Sequence, residues 1–274
     1  MPIRAGLSFS EYLKIDAINH STLKLFAKSA AHAQQEILHP SAPTPAQDLG
    51  QAIHTAILEP ARFRKEYVLA PKVDRRTKEG KAAWAAFEDA HPNATVLKEE
   101  DHSTCKGISE SAWSHGIISQ LLSGTGGNEL VLLWDDEETA APCKARLDRI
   151  TVYNGFTCIL DFKSTVEASI WAFARACAKY GYHSQGAFYL DGCKALEAAP
   201  VERRFLNVAF EKEPPYACAV YELTSASIEQ GRMDYRKWMG QLLEARKTDL
   251  WPGYPTEIQQ LELPKWAFTS EEWV

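Results

Sequence analysis

The chain is poor in the features that announce the simplest functional classes. Six cysteines stand alone at 105, 143, 158, 177, 193 and 218, with no CxxC pair among them. Zinc sites and iron–sulfur clusters need closer thiolate spacing, so neither is expected, and the thiols read as reduced, as in a cytoplasmic protein. No apolar run approaches the roughly eighteen residues of a membrane-spanning helix, so no membrane partner is expected. The opening stretch, MPIRAGLSFSEYLK, lacks the apolar core of a signal peptide. An excess of basic charge is missing too: 30 Lys and Arg face 36 Asp and Glu, for a net charge of −6. A polyanion would have to be met by a local basic patch or by metal ions, since no global field attracts it. Internal repeats and low-complexity tracts are absent.

What is present suffices for a large core. Of 274 residues, 45% are hydrophobic and eight are Trp. That length reads as one domain over 1–274. Its first part, 1–65, is helical in pattern: 20–39 carries one or two short amphipathic helices with Ser21 as a candidate cap, and 46–60 places Leu49, Ala52, Ile53, Ala56 and Ile57 on a helical period. EYVLAP reads as a short strand and 72–81 as an exposed basic loop; two further helical stretches lead to glycines 124, 126 and 127. Texture then changes. NELVLLWDD, CKARLDRITVY and TCILDFKST are β-rich runs, and the YNG at 153–155 marks a hairpin between the last two. Helical periodicity returns from Val166 to Leu196 with a hinge near Gly181, a second strand pair flanks Pro214 and Pro215, and a helix runs from about Ser225 to Arg246. Residues 125–222 thus hold a sheet with its helices, and 247–274 reads as an irregular tail. Helices around a central mixed sheet make the fold class α/β (α+β).

The hairpin carries the chemistry. Residues two apart on a strand share a face, so Asp161 and Lys163 point together while Phe162 points away. A turn at Asn154–Gly155 brings Asp148 alongside them. A salt bridge among strand ends is the bland reading of so short a motif. Burying three charges is costly without a further reason. Two carboxylates beside an ammonium suit a divalent cation, which selects oxygen ligands, acidifies water and polarises a phosphoryl oxygen.

Further pieces stand in order around the hairpin: GQAIH (50–54), ARLD (145–148), DFK (161–163) and QGAFY (185–189). Together they resemble the RecB-like branch of the PD-(D/E)XK nuclease superfamily, whose pattern runs GxxxH, an aspartate, (D/E)xK and QxxxY. STLKLF (21–26), DRRTKEGK (74–81) and YHSQGAFYLDG (182–192) extend the similarity to the RecE-type (exonuclease VIII) nuclease domains, from about Asn19 to Arg246.

The resemblance implies a restriction-endonuclease-like core with a helical N-terminal elaboration. It implies that Asp148, Asp161 and the Phe162 carbonyl ligate Mg²⁺, with Mn²⁺ able to substitute, and that Lys163 acts on the attacking water. His54 would hold or orient a second ion; alone, it would read as a helix-surface histidine at the core boundary. Gln185 and Tyr189, one turn apart on a helix, would brace the site, although both could be ordinary polar helix residues. Glu129 stands where relatives often carry an acid near the second metal, or is a solvated strand-end glutamate. Tyr182 and His183 are placed to contact DNA. Arg75, Arg76 and Lys78, with Lys81, form the densest basic stretch, read either as a solvated loop or as a phosphate-contacting one.

The activity implied is digestion of double-stranded DNA ends, 5′ to 3′, leaving a 3′ single strand for an annealing protein. A ring-shaped homo-oligomer, trimer or tetramer, is implied as well. The alternatives are an endonuclease or a flap or single-strand nuclease on the same core, and a nuclease-like module that binds DNA without cutting it.

Overall fold

The computed structural model describes residues 3–196 and 201–264. Chain order begins β1 (Ile3–Arg4), α1 (Phe9–Lys14), α2 (His20–Leu25), α3 (Ala30–Leu38), α4 (Pro45–Leu58), α5 (Pro60–Glu66), β2 (Tyr67–Leu69), α6 (Lys78–Ala90) and β3 (Thr95–Leu97). It continues α7 (Glu99–Ser114), α8 (Gly116–Ser123), β4 (Gly126–Asp135), β5 (Pro142–Tyr153), β6 (Phe156–Thr165), α9 (Ile170–Tyr180), α10 (Tyr182–Ala195), β7 (Arg203–Glu211), β8 (Cys218–Glu222) and α11 (Ser225–Thr248). Six strands form one mixed sheet in the order β1-β4-β5-β6-β7-β8, and β2 pairs with β3 apart from it. β6 and β7 run parallel, joined by the helical crossover α9–α10, while the other neighbours in the large sheet are antiparallel.

Local chemistry explains the element ends. The β5–β6 hairpin closes through Asn154 and Gly155, both at positive φ (50° and 82°), and Tyr153 pairs with Phe156 across the turn. Positive φ at both central residues is what a tight two-residue hairpin requires, and Asn-Gly tolerates it. Helix α4 starts with Pro45 after Thr44, whose hydroxyl and the Gln47 side chain cap each other's backbone N–H. Gly181, at φ 69°, both ends α9 and begins α10, so the hinge expected there is a left-handed residue.

Three boundaries differ from the sequence reading. The cap of α2 is Asn19, whose side chain accepts from the Thr22 N–H at 2.8 Å; Ser21 lies inside the first turn. The basic stretch is not all loop, because Thr77 caps the Gly80 N–H at 2.9 Å and α6 starts at Lys78. In the tail, α11 extends to Thr248, residues 249–264 hold no helix or strand, and 265–274 lie outside the described residues.

Apolar clusters cover both sheet faces. On one side Ile159, Leu147 and Leu132 pack against Phe188 of α10, Leu23 of α2 and Met239 of α11. On the other, Leu160, Phe162 and Val208 pack against Ile53 and Ile57 of α4, Ile108 of α7 and Leu121 of α8. Each such fully buried side chain contributes roughly 1.5–3 kcal/mol. Lys144 is buried within this frame because its ammonium donates to the carbonyls of Tyr12, Leu13 and Ile15 at 3.0, 3.3 and 2.7 Å, tying the end of α1 to β5. Ile18 bridges to Cys143 next to it, which sets α2 against the sheet. All six thiols are free, and all but Cys218 are buried. Among the described residues no helix is long and apolar enough to cross a membrane.

Candidate active site

The hairpin charges converge as their spacing requires. The β5–β6 ladder reaches Arg149 opposite Leu160, so the next position sets Asp148 against Asp161. The Phe162 N–H donates to Asp148 Oδ2 at 2.8 Å. Phe162 itself turns away, stacks on Phe210 and is buried. On the other face, Lys163 Nζ lies 2.6 Å from Asp161 Oδ2 and sits over the Tyr182 ring, 4.7 Å from its centroid. The Gln185 amide donates to Asp161 Oδ1 and to the Tyr189 hydroxyl, both at 3.0 Å. One turn of α10 therefore holds one oxygen of Asp161. The other oxygen is buried against the Lys163 ammonium.

His54 enters from α4, on the opposite layer. Its Nε2 lies 3.1 Å from the Phe162 carbonyl, and its Nδ1 lies 3.5 Å from Asp148 Oδ1. A carbonyl only accepts, so Nε2 must carry the hydrogen. In a neutral ring that leaves the Nδ1 lone pair facing a carboxylate, an arrangement that needs a proton or a cation between them. Burial lowers the His54 pKa, but Asp148 outweighs it and the net direction is upward. Asp148 moves the other way: burial raises it, and the His54 charge and hydrogen bond hold it below the ordinary carboxylate range. Asp161 is raised, chiefly by burial, against the pull of Lys163. Lys163 resists the downward push of burial because Asp161 and Asp148 face it, and it stays an ammonium.

Glu129 completes a ligand group. Atoms of His54, Glu129 and Asp148 lie within 4.8 Å of one another, a set able to hold a metal ion. Glu129 also pairs with Arg146 at 2.7 Å, and burial, then repulsion from Asp148, raises its pKa to about 7. Its backbone stands at φ 53° within β4. A non-glycine residue there costs about 1–3 kcal/mol and tends to mark a functional position. The strands reverse their facing at this point. Leu147 packs in the cluster under α10, whereas Arg149, two residues on, donates to the Leu121 and Gly124 carbonyls beside α8 at 3.0 and 2.6 Å. On a regular strand they would share a face. The reversal leaves Asp148 and Glu129 at the seam between the layers, where α4 and α10 can both reach.

The donors fit a hard divalent ion. Two carboxylates and the nearby Phe162 carbonyl suit Mg²⁺ or Mn²⁺, and the imidazole tilts the set toward a transition metal. The Nδ1 lone pair of a neutral His54 ring and the facing Asp148 carboxylate are the atoms such an ion would join.

The family model for the PDDEXK-like domain of unknown function (DUF3799) matches residues 19–264. The chain belongs to this family. No curated protein matches it. A candidate exonuclease of Eubacterium rectale shares the fold of this PDDEXK-like domain at a TM-score of 0.62 and 12% identity, over 95% of this chain and 97% of that one. A Vibrio cholerae protein, VC1899, aligns at a TM-score of 0.23 and 11% identity over 85% of this chain and 58% of its own, too remote to support an argument.

Other residues singled out in the sequence sit differently within the PDDEXK-like domain. Tyr182 lies under Lys163, half-buried against Phe173. His183 faces inward, with Nε2 3.0 Å from Asp234 and Nδ1 3.2 Å from the Cys177 carbonyl, so both nitrogens are engaged by protein. Arg75 stacks on Trp84 of α6 at 4.1 Å, Arg76 donates its backbone N–H to Asp74, and Lys78 opens α6. No hydrogen bond or ion pair among the described residues links this arm to the hairpin.

Sequence reasoning did not single out His20, Ser184 or Arg146. His20 is buried, with Nε2 2.8 Å from the Ser184 hydroxyl and its ring against Phe188 and Trp238. It backs the turn that carries Gln185. Burial first, then Lys24, Lys163 and His183, pushes its pKa down to about 3. Above its ordinary value of 6.5 the ring is neutral in both states and its contribution is complete. As pH falls below 6.5 only the unfolded chain takes up the proton, and stability is lost progressively toward pH 3. Urea denaturation of wild type and His20→Gln should show their stability gap narrowing by about 2 kcal/mol between pH 7 and 5. A gap that stays constant would mean that the ring titrates as in solution.

Proposed function

We propose that this PDDEXK-like domain is a metal-dependent DNA exonuclease that digests double-stranded DNA from 5′ ends and leaves 3′ single strands for an annealing partner. The observation that carries the reading is the convergence of His54, Glu129 and Asp148 with the Asp161–Lys163 pair at the seam between the helical layers. The description of the Eubacterium rectale neighbour as a candidate exonuclease accords with it. The 5′ polarity and a trimeric or tetrameric ring rest on the RecE-type resemblance, the single nuclease domain over 1–274 rests on chain length, and all three are part of the proposal.

When bound, a divalent cation supplies Lewis-acid polarisation of a phosphoryl oxygen and a more acidic water. The chain's own groups do the positioning. Asp148, Asp161, Glu129 and His54 hold negative charge and lone pairs at the seam, with the Phe162 carbonyl beside them. Gln185 keeps Asp161 in its rotamer, and Tyr189 keeps Gln185 in place. The Lys163 ammonium donates to the attacking water or to a non-bridging phosphate oxygen, orienting one and steadying charge on the other. Arg75, Arg76 and Lys78 remain candidate phosphate contacts for the flanking duplex.

The intact set of Asp148, Asp161 and Lys163 argues against a non-cleaving module. Incubating the protein with end-labelled linear duplex, nicked circles and closed circles in Mg²⁺ or Mn²⁺ tests the reading. Loss of linear DNA alone, from labelled 5′ ends and blocked by EDTA, is expected. Attack on closed circles would replace exonuclease by endonuclease, and no cleavage with either ion would leave a binding module.

A further inference from the structure

A line of rings and ammonium groups leads outward from the reaction centre. Tyr182, under Lys163, stacks on Tyr180 with centroids 5.8 Å apart and an interplanar angle of 28°. Tyr180 is the last residue of α9, and the left-handed Gly181 turns the chain so that the two tyrosines lie side by side. Tyr180 is 44% exposed as a residue and belongs to none of the three apolar clusters. Two ammonium groups lie over it, Lys24 at 5.8 Å and Lys179 at 5.2 Å. Among the described residues neither lysine has a carboxylate within ion-pair distance, in a chain whose net charge is −6. Lys24 is half-buried, and Lys163 acts on it as a like charge, which lowers its pKa after burial does. Lys24 and Lys179 thus leave two ammonium groups beside an exposed ring with no carboxylate of their own to pair with. An aromatic face bracketed by cations is the arrangement that binds single-stranded nucleic acid, with the base on the ring and the phosphates on the ammonium groups.

We infer that Tyr180, bracketed by Lys24 and Lys179, is a stacking subsite for one unpaired nucleotide of the strand leading to or from the reaction centre. This rests on the proposed nuclease reading and adds to it the requirement that the end be locally unpaired. The site takes any base, because stacking uses the π-face and not the base edges.

The probe is a duplex with a short single-stranded extension carrying one 2-aminopurine, moved position by position through the junction and measured with EDTA so that no strand is cut. With wild type, fluorescence quenching is expected at one position near the junction. Tyr180→Ala should remove that quenching and weaken binding about tenfold, while Tyr180→Phe keeps both. Lys24→Ala should keep the quenching and lower the salt slope of binding by about one. Circular dichroism of each variant checks the fold. Quenching unchanged in Tyr180→Ala overturns the subsite. If wild type cleaves linear duplex in Mg²⁺ or Mn²⁺ as proposed, that result removes the subsite alone. If wild type neither cleaves nor binds the DNA, the nuclease reading and the subsite both fall.

Discussion

Lys163→Ala should lower DNA cleavage at saturating metal by at least about a hundredfold, the usual loss when a single charge-stabilising donor is removed. The ammonium sits 2.6 Å from Asp161, faces Asp148 as well, and is held charged by both. It is not one of the metal-capable trio, so Mn²⁺ binding by calorimetry should survive in this variant. Asp161 needs a different substitution. It is only 3% exposed, and alanine there would strand the Lys163 charge and free the Gln185 amide. Leaving a buried charge unpaired costs about 3–5 kcal/mol. Asp161→Asn also removes the charge, but it preserves the volume and an oxygen for Gln185 and leaves Asp148 facing Lys163, so it should lose cleavage while remaining folded. Cleavage at the wild-type rate by either Lys163→Ala or Asp161→Asn would remove the hairpin from the chemistry.

A large stability effect is expected at Gly231 of α11. A Cβ there would stand 2.3 Å from the His183 carbonyl oxygen and 2.7 Å from the Ser184 nitrogen, both backbone atoms of α10. Backbone cannot swing aside as a side chain can, so Gly231→Ala must push the two helices apart. Overpacking costs typically 1–3 kcal/mol, and this contact belongs at the upper end, about 3 kcal/mol. For a chain of this size that lowers Tm by roughly 5 °C. Gly240, on the same helix, has nothing within 4 Å of its would-be Cβ. There alanine should stabilise by up to about 1 kcal/mol, through helix propensity. Equal melting temperatures for the two variants would refute the close approach of α10 and α11. Since His183 and Ser184 immediately precede Gln185, Gly231→Ala should also lose cleavage.

Much of the site was legible because its signals are local. The Asn154–Gly155 turn sets the register of β5 and β6, and that register alone puts Asp148 against Asp161. Gln185 and Tyr189 are one helical turn apart, so their shared face followed from spacing. The basic arm was legible only as charge. Its helix start depends on Thr77 capping Gly80 within a polar run that shows no apolar period. From sequence, His183 is a candidate contact for DNA because a histidine beside a site looks available. Its partners, Asp234 and the Cys177 carbonyl, come from a helix 51 residues later and from the helix before it.

From its own residues, then, the chain determined a hairpin that crowds two carboxylates and an ammonium, the helices around it and the order of the pieces, since turn chemistry and periodicity act over a few neighbours. Tertiary structure alone decided that Glu129 adopts a left-handed backbone and reverses the strands' facing, that His54 from one layer and Gln185 from the other meet at that seam, and that Lys24 comes to lie over Tyr180. Those contacts join residues far apart in the chain, and only the packing of the helical layers on the sheet sets their distances.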